Sequence, residues 1–213
     1  DLAAHLGRNI LEVGAGIGTV TRKLLERRPS AHVTAIEPDP RLFEQLRSTC
    51  KQLTSVTALN VTSGDLLVDD ERRESFNSVV YVNVLEHIRD DVAELETARD
   101  LLVPGGSLAI FVPALPQLYG SLDYKSGHYR RYLRGGLSEV ITAAGFDVID
   151  VRYFDVLGVL PYLVMYRLLD VKSLGNVSAD GYDRVIVPAS RAIQRLVPHP
   201  PAGKNLLAIA RKP

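Results

Sequence analysis

The sequence predicts an α/β protein built on a doubly wound, mostly parallel sheet. Short apolar runs rich in β-branched residues alternate with amphipathic runs along most of the chain. The clearest pair of strand patterns, residues 10–13 and 32–37, is separated by a helical run over residues 20–28. A strand, a crossover helix and a second strand of this length form a right-handed βαβ unit. With 213 residues and 46% hydrophobic content, we expect one domain over residues 1–213.

A glycine-rich turn follows the first strand. Gly14, Gly16 and Gly18 leave no Cβ there, so a ligand can lie against the backbone while the N–H groups of the next helix point at it. The dinucleotide fingerprint G-x-G-x-x-G does not fit, because the third glycine comes one residue early and Thr19 takes its place. The turn favours a nucleotide-like cofactor; the alternative is a tight strand-to-helix connection that binds nothing.

An acidic residue ends the second strand pattern. Glu37 follows Gly14 by 23 residues and falls at the carboxyl edge of the predicted sheet. A carboxylate at this place can accept hydrogen bonds from both hydroxyls of a ribose. The alternative is that Glu37 is a surface acid in a loop. Asp39 and Pro40 then provide an N-cap and a first-turn proline for the following helix.

Three further strand patterns complete the first half of the chain. Residues 54–61 precede Ser63-Gly64-Asp65-Leu66, and residues 78–82 run into Asn83-Val84-Leu85-Glu86-His87-Ile88. A Pro-Gly-Gly turn leads into the fifth pattern, residues 107–112.

These motifs, in this order, resemble class I S-adenosylmethionine (SAM) dependent methyltransferases. The E-x-G-x-G-x-G pattern that begins at Glu12 resembles motif I of that family, and the run from Asn83 to Ile88 resembles the motif after strand four in its small-molecule branch. The segment Gly127-His-Tyr-Arg-Arg-Tyr132 looks like one found in bacterial members. The resemblance covers roughly the first half of the chain. It implies SAM as the cofactor and a seven-stranded sheet of order 3-2-1-4-5-7-6, with the last strand antiparallel.

The resemblance also implies a set of cofactor contacts. Glu37 would hold the ribose, Asp65 the adenine amino group, and Leu66 would lie against the adenine ring. The backbone near Asn83 would face the methionine end of SAM. His87 is expected near the cofactor without a catalytic role, the alternative being a packing residue at a helix start. The full set of expected contacts is Glu12, Gly14, Ala15, Gly16, Gly18, Thr19, Glu37, Pro38, Asp65, Leu66, Asn83, Val84, Leu85 and His87.

An aromatic and basic segment, residues 113–134, follows the fifth strand and is interpreted as a lid. His128 could take a proton from a nucleophile, and an arginine could hold a carboxylate or phosphate. The alternative is a solvated loop whose arginines pair with nearby acids. Besides His128 as the catalytic candidate, the predicted substrate contacts are Tyr124, Tyr129, Arg130, Arg131 and Tyr132.

The last part of the chain predicts a helix, an insertion and the end of the sheet. A helix over residues 137–144 ends at Gly145, and residues 146–154 form a sixth strand. An apolar, partly helical insertion spans about residues 155–200, including a helix near 181–196. It could form a hydrophobic wall for the substrate, a surface for a second subunit in a homodimer, or plain core. Residues 204–210 are the final strand.

Charge and cysteine content restrict the partners. Lys and Arg number 25 and Asp and Glu number 25, so no overall field attracts nucleic acid, and we predict no nucleic-acid partner. The single cysteine, Cys50, excludes an intramolecular disulfide framework and fits a cytoplasmic location. Residues 156–169 are too short and too interrupted for a transmembrane segment. No tight His and carboxylate cluster is visible in the sequence, so no metal is predicted.

The sequence therefore predicts a SAM-dependent methyltransferase that acts on a small or medium-sized molecule, apolar or anionic. The histidine in the lid favours oxygen as the acceptor atom. Two alternatives stay open: a SAM-binding protein that regulates or steers a reaction other than methyl transfer, and an NAD-type oxidoreductase. The early third glycine and the lack of an evident hydride-transfer constellation disfavour the oxidoreductase.

Overall fold

A computed structural model describes residues 2–162, 196–197 and 199–213, and within them a seven-stranded sheet of order β3-β2-β1-β4-β5-β7-β6. The predicted strand order is confirmed, and β7 runs antiparallel to both of its neighbours. The strands are β1 Asn9–Val13, β2 His32–Ile36, β3 Val56–Leu59, β4 Phe76–Val82, β5 Leu102–Pro113, β6 Asp147–Phe154 and β7 Asn205–Arg211. The described helices are α1 Thr19–Arg27, α2 Pro40–Cys50, α3 Ser63–Leu67, α4 Asp91–Leu101, α5 Ser121–Lys125, α6 Arg134–Ala143 and α7 Val159–Tyr162.

The central strands are apolar along their whole length because helices cover both faces of the sheet. Ile10 and Leu11 point to opposite faces of β1, and neither has any exposed surface. They belong to two separate clusters of buried side chains, one on each side of the sheet. This two-sided burial explains why the strands read as continuous hydrophobic runs in the sequence.

The order in which strands are added to the sheet reverses between β1 and β4. From β1 the chain proceeds to β2 and β3 on one side, and it then returns to place β4 on the other side of β1. Val13 therefore lies opposite Ile36 on one neighbour and Tyr81 on the other. Ligands of open α/β sheets bind in the crevice that such a reversal leaves at the carboxyl ends of the strands.

The start of α2 follows the predicted capping chemistry. The Asp39 carboxylate accepts hydrogen bonds from the backbone N–H groups of Arg41 and Leu42, with Pro40 in the first turn of α2. Thr62 and Asp65 form a reciprocal capping box at the start of α3. Helix α6 begins three residues earlier than predicted, and it includes Gly135 and Gly136, whose low helix propensity hid its start.

The C-terminal strands close the sheet. Strand β7 inserts between β5 and β6, so that Ala208 lies opposite Ile110 on one side and Val151 on the other. Most of the predicted apolar insertion near residues 155–200, including residues 181–195 of the helix proposed for 181–196, lies outside the described residues. None of the helices in the described ranges is long and apolar enough to cross a bilayer.

Candidate active site

A cavity of about 530 Å³ lies at the carboxyl ends of the first four strands. Its wall is built from the glycine turn after β1, the acid after β2, and the loops that follow β3 and β4. The lining residues are Val13, Gly14, Gly16, Ile36, Glu37, Pro38, Leu42, Val61, Thr62, Ser63, Asn83, Val84, His87, Ile88 and Glu94. The predicted crevice is therefore open space at the reversal point of the sheet.

The three glycines of the turn serve different purposes. All three have positive φ angles, from +57° to +87°, which β-carbon-bearing residues adopt at a cost. A Cβ at Gly14 would meet Val84 Cγ2 at 2.6 Å, and a Cβ at Gly18 would meet Leu46 Cδ1 at 3.0 Å. A Cβ at Gly16 would meet nothing within 4 Å, although Gly16 lines the cavity. Gly18 thus permits close packing of α2, whereas Gly16 keeps space open for a ligand.

Two alanine substitutions separate these roles. In Gly16→Ala we expect SAM affinity to fall at least tenfold, because the methyl group projects into open space beside the cavity. In Gly18→Ala we expect mainly a lower free energy of unfolding, by about 1–3 kcal/mol, from overpacking against Leu46 and from the positive φ. Calorimetric titration with SAM and urea unfolding of both variants measure the two quantities. Equal affinity losses in the two variants would contradict this division.

Glu37 organises the entrance of the cavity. Its side chain is 6% exposed, and it lines the cavity immediately after β2. The backbone N–H of Gly16 donates to Glu37 Oε2 at 2.8 Å, and that of Asp39 donates to Oε1 at 3.0 Å. Each carboxylate oxygen can accept more than one hydrogen bond, so the ribose role stays open to Glu37. The same side chain also ties the glycine turn to the end of β2.

Glu12 lies behind the cavity wall and not among its lining residues. It is 2% exposed, and its Oε2 accepts a hydrogen bond from Thr21 Oγ1 at 2.6 Å. Burial raises the pKa of Glu12 to about 7, against a partial lowering by the hydrogen bond from Thr21. In the described contacts this acid connects β1 to α1.

The raised pKa of Glu12 predicts a pH-dependent stability of the ligand-free protein. In the unfolded chain the carboxyl loses its proton near pH 4.5, and in the folded chain near pH 7, so unfolding releases a proton between these values. Stability should therefore fall as the pH rises from about 4.5 to 7. The loss should approach about 3 kcal/mol at most. We expect Glu12→Gln to remove this contribution, in urea unfolding at pH 5 and pH 8, and to leave that of Glu86, whose pKa burial also raises to about 7.

The exposed acid Glu26 on α1 provides the matched control for this measurement. Glu26→Gln should retain the pH dependence of the wild type. If Glu12→Gln also retains it, the buried carboxyl of Glu12 is not its source.

The loops after β3 and β4 bring only part of the predicted set to the cavity. Asn83, Val84 and His87 line it, together with Thr62 and Ser63, which were not among the predicted contacts. Asp65 is directed instead to the start of its own helix, where its Oδ2 accepts hydrogen bonds from the backbone N–H and the hydroxyl of Thr62. The remaining predicted contacts outside the lining are Ala15, Gly18, Thr19, Leu66 and Leu85, of which Leu66 and Leu85 are buried in the core.

The lid segment is fastened to the protein by the residues predicted to hold the substrate. Arg130 Nη1 and the Tyr132 hydroxyl both donate to Asp91 Oδ2, at 2.7 and 2.8 Å. Arg131 is 7% exposed, and its Nε donates to Asp123 Oδ1 at 2.8 Å. The alternative, arginines that pair with nearby acids, thus applies to this segment. Arg131 and Tyr132 are buried supports and not accessible substrate contacts, whereas Tyr124 and Tyr129 are exposed.

His128, the candidate base, is held by an acid of the same segment, Asp123, which was not among the predicted site residues. Its Nδ1 lies 2.8 Å from Asp123 Oδ1. Because the ionised Asp123 carboxylate can only accept hydrogen bonds, His128 Nδ1 carries the proton, and Nε2 of the neutral ring is left as a hydrogen-bond acceptor. Burial opposes the charge of Asp123, but hydrogen bonds from His128 and Arg131 outweigh it and lower the pKa of this carboxyl to about 2. Asp123 therefore stays ionised and fixes the orientation of the imidazole.

A second unassigned acid, Glu86, lies on the other side of His128. Glu86 Oε1 is 4.0 Å from His128 Nε2, and the carboxylate has no exposed surface. Burial raises the pKa of Glu86 to about 7. Strong pKa shifts of buried groups beside a cavity are typical of functional sites. Its position in the run from Asn83 to Ile88 was visible in the sequence, but its burial was not.

The sheet order and the glycine-lined cavity define the Rossmann-like fold of class I SAM-dependent methyltransferases. Residues 11–108 of the 213 match a family model described as a methyltransferase domain. The match covers just under half of the chain, and the chain shares the fold of class I methyltransferases.

Two curated relatives share about a third of their aligned residues with this chain. A demethylmenaquinone methyltransferase of Tropheryma whipplei (strain Twist) is 31% identical over 142 residues, which are 67% of this chain and 56% of the relative. A ubiquinone biosynthesis O-methyltransferase of Cereibacter sphaeroides is 33% identical over 110 residues, which are 50% of this chain and 42% of the relative. The match thus spans about half the length of these relatives.

Solved structures resemble the chain over nearly its whole length. The cyclase SpnF superposes with a TM-score of 0.68 at 18% identity, covering 100% of this chain and 79% of that one. Phosphoethanolamine N-methyltransferase 2 of Haemonchus contortus, in complex with SAM, has a TM-score of 0.63 at 19% identity, covering 98% of this chain and 49% of that one. At this level of identity the likeness shows a shared fold.

Proposed function

We propose that this protein transfers the methyl group of SAM to a small or medium-sized molecule, at an oxygen atom. The observation that carries the proposal is the open cavity at the reversal point of the sheet, in which Gly16 leaves space beside a nearly buried acid, Glu37. Its volume of about 530 Å³ falls in the range of small-molecule and cofactor sites.

In the proposed complex the chain's residues mainly bind and orient the cofactor. Glu37 accepts from the ribose hydroxyls, and the backbone at Gly14, Gly16 and Asn83 borders the path to the methionine end. When bound, SAM would supply a methyl group on a positively charged sulfonium sulfur, which accepts the electron pair of the breaking bond and becomes a neutral thioether. The acceptor oxygen attacks the methyl carbon, the carbon–sulfur bond breaks with its electron pair on sulfur, and S-adenosylhomocysteine leaves. Alignment of the two reactants and exclusion of water provide most of the acceleration.

His128 is the proposed group that removes the acceptor's proton. The hydrogen bond to Asp123 leaves Nε2 as the acceptor, and Asp123 stabilises the imidazolium that forms. The exposed rings of Tyr124 and Tyr129 lie on the same segment and are proposed to contact an apolar part of the acceptor. Arg130, tied to Asp91, is proposed only as a secondary contact to an anionic acceptor.

The relatives narrow the choice of acceptors to test. One bears the name of a demethylmenaquinone methyltransferase and another that of a ubiquinone biosynthesis O-methyltransferase. We therefore propose demethylmenaquinone and ubiquinone precursors as the first acceptors to test, of which the second name specifies transfer to oxygen. The balanced charge of the chain supports a small-molecule acceptor over nucleic acid, and the single cysteine supports a cytoplasmic location. A homodimer is the proposed assembly, because residues 156–169 are mostly apolar in sequence.

Two measurements test the proposal. In calorimetry with each cofactor, SAM should bind and NAD should not. Tight binding of NAD without binding of SAM would overturn the methyltransferase proposal in favour of an oxidoreductase. Incubation with methyl-labelled SAM and a panel that includes demethylmenaquinone and ubiquinone precursors should then yield a labelled product. SAM binding without transfer to any acceptor would favour the regulatory or non-methyl-transfer alternative.

A further inference from the structure

A buried carboxylate without a partner marks a place next to the cavity. Glu86 has no exposed surface, and within the described residues neither of its carboxylate oxygens has a hydrogen-bond partner. Burying a carboxylate without compensation is costly, and native proteins normally pair such a group or place it on a metal ion. The 4.0 Å distance to His128 Nε2 exceeds a hydrogen bond, so His128 does not provide that compensation directly.

The facing imidazole is arranged as metal-ligating histidines usually are. His128 Nδ1 is hydrogen-bonded to Asp123, which is itself fixed by Arg131 Nε and by the Tyr162 hydroxyl at 3.1 Å. A carboxylate on one nitrogen of a ligand histidine sets its tautomer and raises the basicity of the other nitrogen. His128 Nε2, with its lone pair available, points to the side on which Glu86 lies.

A second imidazole completes the cluster. His87 follows Glu86 in a short 3-10 turn, and its ring meets that of His128 edge-on, with 4.6 Å between centroids and 88° between planes. The His87 ring also forms a hydrogen bond with the backbone of Gly127, which helps to hold the ring in place. His87 lines the cavity, so the cluster borders the space assigned to the cofactor.

From this arrangement we propose that Glu86, His87 and His128 bind a divalent transition-metal ion. One potential ligand atom from each residue lies within 4.8 Å of the other two. Two ligands at about 2.1 Å from one ion are at most about 4.2 Å apart, so side-chain adjustments of a few tenths of an ångström close the site. Two imidazoles and one carboxylate suit ions such as Mn²⁺, Co²⁺ and Zn²⁺.

Three protein ligands leave coordination positions open. Because His87 lies in the cavity wall, an oxygen atom of the acceptor can occupy such a position, and a hydroxyl bound there loses its proton to solvent more readily. This refinement rests on the proposed methyl transfer to oxygen. It makes His128 a ligand in place of a general base, and it replaces the sequence-based expectation that no metal is bound.

Titration of the tag-free, chelator-treated protein with Co²⁺ alone tests the site without SAM or an acceptor. We expect one equivalent to bind with a dissociation constant below about 100 μM and to produce visible absorption bands of a nitrogen- and oxygen-ligated ion. Glu86→Gln, His87→Ala and His128→Ala should each weaken binding at least tenfold. His32→Ala alters an exposed histidine on β2 that is hydrogen-bonded to Thr57 on β3, and this variant should bind Co²⁺ as the wild type does.

Thermal unfolding and SAM affinity of each variant confirm that the protein remains folded. Lack of Co²⁺ binding by the wild type, or equal binding by all three site variants, would overturn the inference. If methyl transfer then persists in the presence of a chelator, the proposed function stands and His128 acts as the base. If SAM itself fails to bind, the proposed function fails, whatever the outcome with Co²⁺.

Discussion

Replacing His128 with alanine is expected to lower methyl-transfer turnover by about 10²- to 10⁴-fold, the usual contribution of a group that handles a reacting proton. Asp123 holds the imidazole with Nε2 free to accept, 4.0 Å from Glu86 Oε1, and alanine removes that nitrogen. SAM affinity should stay within about twofold of the wild type, because His128 is not among the residues that line the cavity. Steady-state kinetics with an acceptor from the panel and calorimetry with SAM measure the two effects.

The same His32→Ala variant serves as a control for this experiment. His32 begins β2, at the opposite edge of the sheet from the cavity, so its loss should leave turnover unchanged. Turnover of His128→Ala at the wild-type level would remove this histidine from the mechanism, both as a base and as a metal ligand. The Co²⁺ titration distinguishes between those two roles if turnover falls.

Replacing Glu37 with alanine is expected to weaken SAM binding by about 1–3 kcal/mol, or about 5- to 150-fold in the dissociation constant. The substitution removes the proposed acceptor for the ribose hydroxyls. It also releases the backbone N–H groups of Gly16 and Asp39, which Glu37 holds at 2.8 and 3.0 Å in the ligand-free structure. Glu37→Gln should have a smaller effect, since the amide oxygen still accepts.

An acid on the following helix provides the comparison. Glu44 is exposed on α2 and forms an ion pair with Arg47, so Glu44→Ala should bind SAM with wild-type affinity. Thermal unfolding of the ligand-free Glu37→Ala protein shows whether the glycine turn has been disturbed. Unchanged SAM affinity in a folded Glu37→Ala variant would refute the ribose role.

Local sequence patterns were sufficient to predict the features that depend on the backbone of neighbouring residues. The glycine turn, the acid at the end of β2 and the proline-capped start of α2 each depend on residues close together in the chain. Asp65 shows the limit of such reasoning. A Gly-Asp pair after a strand could contact a ligand or form a turn, and here its carboxylate caps α3 through Thr62.

The lid shows the same limit of local sequence patterns, for partners that are farther apart in the chain. The arginines and tyrosines of residues 113–134 form a visible cluster in the sequence, but their partners do not. Asp91, which accepts hydrogen bonds from Arg130 and Tyr132, lies about 40 positions earlier in the chain. Whether a basic residue faces a substrate or a buried acid depends on the packing of distant elements.

The amino-acid sequence alone thus determined the strand order, through family resemblance, and the position of the cofactor crevice, because glycines and strand-ending acids act through adjacent backbone. Only the tertiary structure brought Glu86 and His87, at the end of β4, against His128 in the lid. Burial and the pairing of charges arise from contacts between segments that are remote in the chain. For this reason only the structure shows that Asp123 holds His128 and Arg131. It likewise shows that the Glu86 carboxylate has no protein hydrogen-bond partner among the described residues.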